Sequence, residues 1–238
     1  MKAMLFAAGL GTRLKPWTDE HPKALAMVNG KSLLQRNIEY LQSAGVKEFV
    51  VNVHHFADQI IQAVNENQGW GSVVHISDET DQLLDTGGGL VKAAHYFAGE
   101  PYFIAMNVDI LTDLRMAKMI QHHLDMNALA TLAITDRMSN RNFLFDEEQS
   151  LVGWRQLEPF SEKIVKSSQF LIPKAFSGVH VISSSIFEKI RLQGKFSMVD
   201  LYLSLANHFN IVGYDHTGTR FLDVGKPGSL QMANDFFH

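Results

Sequence analysis

The sequence KAMLFAAGLGTR, residues 2–13, joins a near-continuous apolar run to a loop that contains two glycines. An apolar run without alternation is typical of a strand that is covered on both faces, as in parallel sheets. Glycines directly after such a strand let backbone N–H groups turn toward one point and hold phosphate oxygens. Ligands in open α/β sheets bind at the carboxyl ends of the strands. This stretch therefore predicts the first strand of an α/β sheet, followed by a phosphate-binding loop.

The rest of the chain continues this order of apolar runs and segments with helical periodicity. Ser32 is expected to cap a helix that ends near Gly45. Further elements are predicted as strands at 49–53, 73–76, 102–106, 129–135, 178–182 and 211–214 and as helices around 60–64, 90–97, 185–191, 198–208 and after Pro227. Because strand and helix alternate, we expect a doubly wound, mostly parallel, Rossmann-like α/β sheet with right-handed crossovers.

The pattern changes between residues 136 and 177. An aromatic run at 143–145, an acidic turn at 146–149 and an apolar run at 151–154 predict a β-hairpin. We expect this stretch to form a small inserted β lobe, which makes the sheet mixed. No linker or repeat interrupts the sequence, so we predict one domain over residues 1–238.

The composition excludes several classes of function. The 238 residues include no cysteine, which excludes disulfides, thiol catalysis and thiolate metal sites. The formal net charge of −4 argues against binding to nucleic acid or to a membrane surface. The first ten residues imitate a signal peptide, but glycines and Arg13 interrupt the apolar run, so we expect a cytoplasmic protein.

The glycine loop of residues 9–13 departs from two common nucleotide-binding patterns. Leu14 stands where the dinucleotide fingerprint has its third glycine, and the Gly-Lys-Ser/Thr ending of a P-loop is absent. Pro16 and Pro22 also prevent an ordinary helix from beginning here. A plain turn between a strand and a loop stays open as the alternative.

Two further segments carry residues suited to phosphate chemistry. Residues 85–89 read DTGGG before the helix expected at 90–97, and such a run lets the backbone approach a flat ligand, or serves as a flexible loop. Asp109 and Asp223 each follow an apolar run. A strand-end carboxylate suits Mg²⁺ bound to phosphates, although such an aspartate also serves as a turn former or helix cap.

Together these motifs resemble the sugar-1-phosphate nucleotidyltransferase family, from Met1 to about Gly228. The resemblance rests on GLGTR at 9–13 with Pro16, Pro22-Lys23, Asn107-Val108-Asp109, Phe176-Ser177-Gly178-Val179 and Asp223-Val224-Gly225. Within the family, the Thr-Gly-Gly-Gly loop looks most like bacterial N-acetylmuramate-1-phosphate uridylyltransferases. Mannose-1-phosphate and heptose-1-phosphate guanylyltransferases are similar as well.

The resemblance implies a reaction between a nucleoside triphosphate, UTP or GTP, and a sugar 1-phosphate. An oxygen of the sugar 1-phosphate attacks the α-phosphorus, and pyrophosphate leaves. The implied catalytic residues are Arg13 on the pyrophosphate, Lys23 on the α-phosphate or the sugar phosphate, and Asp109. Asp109 and Asp223 are the implied Mg²⁺ ligands, and the 136–177 lobe is expected to bind the sugar.

The family pattern also implies the residues that touch the substrates. Gly87 and Gly88, with Ala7, are expected at the base, and the loop glycines at the phosphates. The implied nucleotide contacts are Ala7, Ala8, Gly9, Gly11, Thr12, Arg13, Lys23, Thr86, Gly87, Gly88 and Asn107, and the implied sugar contacts are Asn107 and Gly178. No sequence feature specifies an oligomeric state.

Two other function classes share this architecture. A glycosyltransferase that consumes a nucleotide sugar has a metal-binding aspartate but needs no loop for a leaving pyrophosphate. A non-catalytic subunit that senses nucleotide sugars would not need Arg13, Lys23, Asp109 and Asp223 together. Release of pyrophosphate distinguishes the transferase from both.

Overall fold

The apolar run that opens the sequence lies inside a mixed β-sheet in this computed structural model, which describes residues 1–225 and 227–236. Lys226, Phe237 and His238 belong to the predicted domain but lie outside the described residues. The strands are β1 (Lys2–Phe6), β2 (Met27–Val28), β3 (Lys31–Ser32), β4 (Glu48–Val53), β5 (Val73–Asp78), β6 (Tyr102–Asn107), β7 (Ile110–Thr112), β8 (Ala130–Thr135), β9 (Arg141–Phe145), β10 (Leu151–Gln156), β11 (Ser161–Ile164), β12 (Ile172–Ser183), β13 (Ile211–Asp215) and β14 (Phe221–Asp223). The α-helices are α1 (Leu33–Ser43), α2 (Ala57–Glu66), α3 (Asp85–Lys92), α4 (Met116–Asp125), α5 (Ile186–Lys189), α6 (Met198–Leu205) and α7 (Pro227–Phe236).

The first half of the chain forms the parallel part of the sheet. Strand β1 pairs in parallel with β4 on one side and with β6 on the other, and β4 pairs in parallel with β5. The carboxyl ends of these four strands therefore meet at one edge, as the alternation of strand and helix predicts.

The second half extends the same sheet in antiparallel order. Strand β12 pairs with β6, β8 and β9, and the predicted hairpin is confirmed as β9 and β10, with β11 at the outer edge. The lobe of residues 136–177 is thus continuous with the central sheet. Strand β12 bends at Gly178, whose φ of 71° is a left-handed conformation that glycine adopts without strain, and its register against β8 shifts there.

Both faces of β1, β4 and β6 are buried, which explains why these strand sequences lack alternation. On one face Leu5, Val51 and Met106 pack with helices α1, α2 and α4. On the other face Met4 and Val50 pack with helices α3 and α6. Within the described residues, no helix has both the length and the hydropathy that a membrane span requires.

Hydrogen-bonding side chains fix the first turns of two helices. The Ser32 hydroxyl accepts a bond from the Gln35 N–H at 3.1 Å, which confirms the predicted cap of α1. Ser197 and Asp200 form a reciprocal capping box at the start of α6, so Asp200 is a cap. Helix α6 ends at Leu205, three residues before the predicted end at His208.

Candidate active site

A cavity of about 430 Å³ opens at the carboxyl ends of β1, β4 and β6. It lies where the sequence predicts a ligand, because these parallel strands end at one edge. Ten of the predicted site residues line it: Ala7, Ala8, Gly9, Gly11, Thr12, Arg13, Lys23, Thr86, Asn107 and Asp109. The loop after β1 therefore forms one wall of this cavity.

The glycine loop folds back onto Lys23 through a close approach at Gly11. Gly11 has a φ of 63°, and a Cβ built on it would lie 2.9 Å from Thr18 Cγ2 and 3.2 Å from Lys23 Cβ. The Thr18 hydroxyl donates to the Gly11 carbonyl at 2.9 Å and holds this geometry. Any larger residue at position 11 would push the loop away from Lys23.

Lys23 forms an ion pair with Asp109 across the floor of the cavity. Only 11% of the Lys23 side chain and 20% of the Asp109 side chain are exposed. A cation and an anion that are largely shielded from water interact more strongly than a surface pair. The floor thus carries a positive charge directly beside a carboxylate.

Asp223 lies beside Asp109 because two short strands pair with each other. Strand β7 begins directly after Asp109, and its partner β14 ends at Asp223. The register places Asp223 opposite Ile110, and the Val224 N–H donates to the Asp109 carbonyl at 2.8 Å. Burial raises the pKa of Asp223, and the negative charge of Asp109 raises it further. Arg13 opposes this shift, with its Nη2 3.8 Å from Asp223 Oδ2. The two predicted metal ligands therefore converge although 114 positions separate them.

These two carboxylates fit the donor set of Mg²⁺. Their charges act on one another, as the raised pKa of Asp223 shows, and a divalent cation between them would relieve that repulsion. Magnesium takes one or two carboxylates and completes its shell with phosphate and water oxygens. Asp109 and Asp223 would supply the protein part of such a shell.

A second, open groove of about 820 Å³ adjoins the cavity and shares Arg13 with it. Asp223 lines this groove rather than the first cavity. We call it the arginine groove, and its lining residues are Arg13, Arg137, Ser139, Asn140, Arg141 and Asp223. The 136–177 lobe thus contributes four residues to a space that Asp223 also lines.

The glycines of the DTGGG segment lie inside helix α3, so the prediction that the helix begins after Gly89 is wrong. The N–H groups of Gly87 and Gly88 both donate to the Phe196 carbonyl, at 2.9 and 3.1 Å. A Cβ on Gly88 would lie 2.4 Å from the Gly194 carbonyl oxygen. Contacts within the protein therefore require these glycines, and neither lines the cavity; their contact with the base stays a prediction. Thr86, one residue earlier, does line it.

Asn107 lines the cavity, whereas Gly178 lies behind it. A Cβ built on Gly178 would be 2.9 Å from Asn107 Nδ2, so only glycine leaves room for this side chain. Gly178 therefore contacts Asn107 instead of the cavity wall. The predicted contact of Gly178 with the sugar stays a prediction.

Sequence reasoning missed a buried polar chain beneath the loop. The Ala7 N–H donates to Asn52 Oδ1 at 2.7 Å, and Asn52 Nδ2 donates to Glu79 Oε1 at 2.8 Å. Glu79 Oε2 accepts from the Leu84 N–H at 3.1 Å. Asn52 and Glu79 are 2% and 0% exposed. Asn52 is the single polar residue in the apolar run FVVNV, and this isolation was the signal in the sequence that could have identified it.

Residues 2–238 match the family described as nucleotidyl transferase. The chain belongs to this family. The N-acetylmuramate alpha-1-phosphate uridylyltransferase of Caulobacter vibrioides is 33% identical over 97% of this chain and 94% of its own length. The protein of the same name from Neisseria meningitidis is 30% identical over 98% and 96%.

Other similar proteins carry different names. The mannose-1-phosphate guanyltransferase of Yarrowia lipolytica is 27% identical over 95% of this chain and 61% of its own length. The crystal structure of HddC from Yersinia pseudotuberculosis complexed with GMP-PN covers 100% of this chain and 99% of that chain, with 25% identity and a TM-score of 0.79. These matches confirm the predicted Rossmann-like fold and family, and they indicate a sugar-1-phosphate nucleotidyltransferase.

Proposed function

We propose that this enzyme condenses UTP with N-acetylmuramate 1-phosphate and releases pyrophosphate. The convergence of Arg13, Lys23, Asp109 and Asp223 where the first cavity adjoins the arginine groove carries the proposal. An oxygen of the sugar 1-phosphate forms a bond to the α-phosphorus of UTP. The bond from that phosphorus to the bridging oxygen of pyrophosphate breaks, and the electron pair leaves with pyrophosphate.

Two cationic side chains and the glycine loop bind the phosphates. Arg13 offers a fork of donors to the leaving pyrophosphate, and the N–H groups of Gly9 and Gly11 line the same wall. Lys23 lies deeper and orients the α-phosphate or the incoming phosphate. In such a transfer, positioning and stabilisation of charge account for most of the rate acceleration.

Asp109 and Asp223 would hold Mg²⁺ next to these phosphates. When bound, the ion supplies positive charge that offsets the phosphate oxygens. The protein's part is to hold both carboxylates at one place, through the β7–β14 pairing and the bond from Val224 to Asp109. Arg13 beside Asp223 favours the ionised carboxylate that a metal ligand needs.

The choice of UTP and N-acetylmuramate 1-phosphate follows the similar proteins of nearly equal length. Two relatives with that activity in their names match at 30% identity or more over at least 94% of their own lengths. We also propose that the reaction takes place in the cytoplasm and supplies a sugar of the cell wall. The 136–177 lobe, with the arginine groove, would bind the sugar.

Guanylyl transfer to mannose or heptose 1-phosphate is the second candidate. The structural similarity to HddC complexed with GMP-PN and the similarity to a mannose-1-phosphate guanyltransferase favour it. It uses the same phosphate-binding residues and differs in the base and the sugar.

A matrix of purified substrates tests both candidates. UTP, GTP, CTP, ATP and dTTP are each combined with N-acetylmuramate, mannose, heptose and glucose 1-phosphates in Mg²⁺, and pyrophosphate release is measured. The proposal expects the highest kcat/KM for UTP with N-acetylmuramate 1-phosphate. A maximum at GTP with mannose or heptose 1-phosphate would establish the second candidate. Nucleotide-sugar binding without any pyrophosphate release would instead indicate a sensing subunit.

A further inference from the structure

The arginine groove carries more positive charge than the transfer of one phosphate accounts for. Its lining includes three guanidinium groups and one carboxylate, that of Asp223. Arg13 already has a role at the pyrophosphate and pairs with Asp223. Arg137 and Arg141 come from the 136–177 lobe. These two arginines have no assigned ligand.

The arginine at position 141 is held by its backbone and Nε, so its terminal nitrogens stay available to the groove. Its Nε donates to Gln156 Oε1 at 3.1 Å, and its N–H donates to the Ser139 hydroxyl at 3.2 Å. The neighbouring Asn140 exchanges two 2.7 Å bonds with the backbone of Glu158 on the adjacent hairpin. The loop that presents Arg141 is therefore fixed before a ligand binds.

Arg137 is fixed in a different way. Its Nη2 donates to the Phe176 carbonyl at 2.6 Å, and its Cζ lies 4.8 Å from the centre of the Phe221 ring. Phe221 is in β14, the strand that ends at Asp223. Arg137 therefore bridges the lobe and the strand that ends at Asp223, and it lines the groove.

We propose that Arg137 and Arg141 bind a carboxylate on the acceptor sugar, so that the enzyme selects sugar 1-phosphates that bear a second anionic group. This proposal rests on the proposed function and names the substrate class for it. A guanidinium fork matches a carboxylate in two parallel charged hydrogen bonds, which a neutral sugar hydroxyl cannot reproduce. The groove reaches Arg13 and Asp223, so a sugar in it keeps its 1-phosphate at the transfer site.

Two acceptors that differ by one carboxylate test this proposal. N-acetylmuramate 1-phosphate carries a lactyl ether with a carboxylate, and N-acetylglucosamine 1-phosphate has a hydroxyl there. The kcat/KM for pyrophosphate release is measured for both acceptors with the preferred nucleotide, and their Kd values are measured by calorimetry. The variants are Arg141→Gln, Arg137→Lys and, as a control, Arg155→Gln.

Arg155 is a matched control because it lies in the same lobe on the opposite face. It pairs with Glu162 and is in register with Asn142, one residue from Arg141, and successive residues of a strand point to opposite faces. Arg137→Lys keeps a cation over Phe221 and loses the fork, so it tests the geometry without removing the charge.

We expect the wild type to prefer the carboxylate-bearing acceptor by about tenfold or more, the factor that one charged hydrogen bond typically gives. Arg141→Gln should lower that ratio about tenfold, Arg137→Lys should lower it less, and Arg155→Gln should keep it. A wild-type ratio within twofold of one would overturn the proposal. An equal loss for both acceptors in Arg141→Gln would also overturn it, because that result assigns the arginines to the 1-phosphate or pyrophosphate. If no acceptor releases pyrophosphate, the proposed function fails, and the two Kd values still decide the carboxylate preference.

Discussion

Replacing Asn52 with aspartate should make the stability of this enzyme depend on pH in a way that the wild type does not. In the buried chain beneath the glycine loop, Asn52 accepts from the Ala7 N–H and donates to Glu79 Oε1 at 2.8 Å. Asn52→Asp keeps the acceptor toward Ala7 but puts a carboxylate oxygen against the Glu79 carboxylate. Neither side chain is exposed by more than 2%.

The loss of stability in Asn52→Asp depends on whether both buried carboxyl groups stay ionised or one of them takes up a proton. Two ionised carboxylates with oxygens about 2.8 Å apart repel by about 6 kcal/mol at an effective dielectric constant of about 20. Protonating a carboxyl with an ordinary aspartate pKa costs about 4 kcal/mol at pH 7 and about 1.5 kcal/mol at pH 5, and restores the hydrogen bond. Protonation costs less free energy than the repulsion does, so the folded variant should take up a proton. Relative to the wild type, the variant should therefore lose about 4 kcal/mol at pH 7 and recover about 2.5 kcal/mol of this at pH 5.

Urea denaturation of both proteins at pH 5 and pH 7 measures this difference. The control is the double variant Asn52→Asp with Glu79→Gln, in which amide and carboxylate exchange places. The new amide nitrogen donates to the new carboxylate, and its oxygen accepts from the Leu84 N–H as Glu79 does now. We expect the double variant to be more stable than Asn52→Asp at pH 7 and to lose its extra pH dependence. A penalty equal at both pH values, or no rescue, would refute this account of the chain.

Three further predictions concern packing, buried histidines and a helix cap. Gly88→Ala places a Cβ 2.4 Å from the Gly194 carbonyl oxygen, so we expect a loss of about 1–3 kcal/mol in urea denaturation; an unchanged midpoint would contradict the close packing. Burial lowers the pKa of His123 to about 4 and of His180 to about 3. For both histidines the pKa in the folded protein lies below the pKa in the unfolded chain. The free energy of unfolding should therefore fall as the pH drops below 6.5, by about 1.4 kcal/mol per histidine per pH unit. Wild-type midpoints that match at pH 7 and pH 5.5 would contradict this, and His180→Gln should reduce the slope. Ser197→Ala removes the cap of α6 and should cost about 1 kcal/mol, or a few degrees in Tm. An unchanged Tm would show that the cap does not limit stability.

The parallel part of the fold could be predicted because burial on both faces leaves a direct signal in the sequence. The run from Lys2 to Phe6 contains no alternation since Met4 and Leu5 face different cores. The cap at Ser32 could also be predicted from the sequence, because a hydroxyl directly before an amphipathic helix accepts a hydrogen bond from a free N–H group of its first turn. These signals are local, so a single sequence carries them.

The contacts that were missed depend on residues far apart in the chain. The DTGGG segment reads as a ligand-binding loop, yet its glycines are needed because residues 194–196 pack on helix α3. Likewise, Asn52 and Glu79 are joined by the β4–β5 register and not by any motif. Asp109 and Asp223 were paired through the family resemblance, and the structure supplies the physical reason in the β7–β14 ladder.

The central claim is that Asp109 and Asp223 act together in a Mg²⁺-dependent nucleotidyl transfer. The most direct measurement is the rate of pyrophosphate release at saturating Mg²⁺ for Asp109→Asn, Asp223→Asn and the surface control Asp125→Asn, with folding checked by circular dichroism. Asp125 bonds to Gln121 on helix α4 and lines neither cavity nor groove. We expect each of the first two variants to lose about 100-fold or more while the control keeps its rate. Folded Asp109→Asn or Asp223→Asn protein with the wild-type rate would remove that carboxylate from the mechanism.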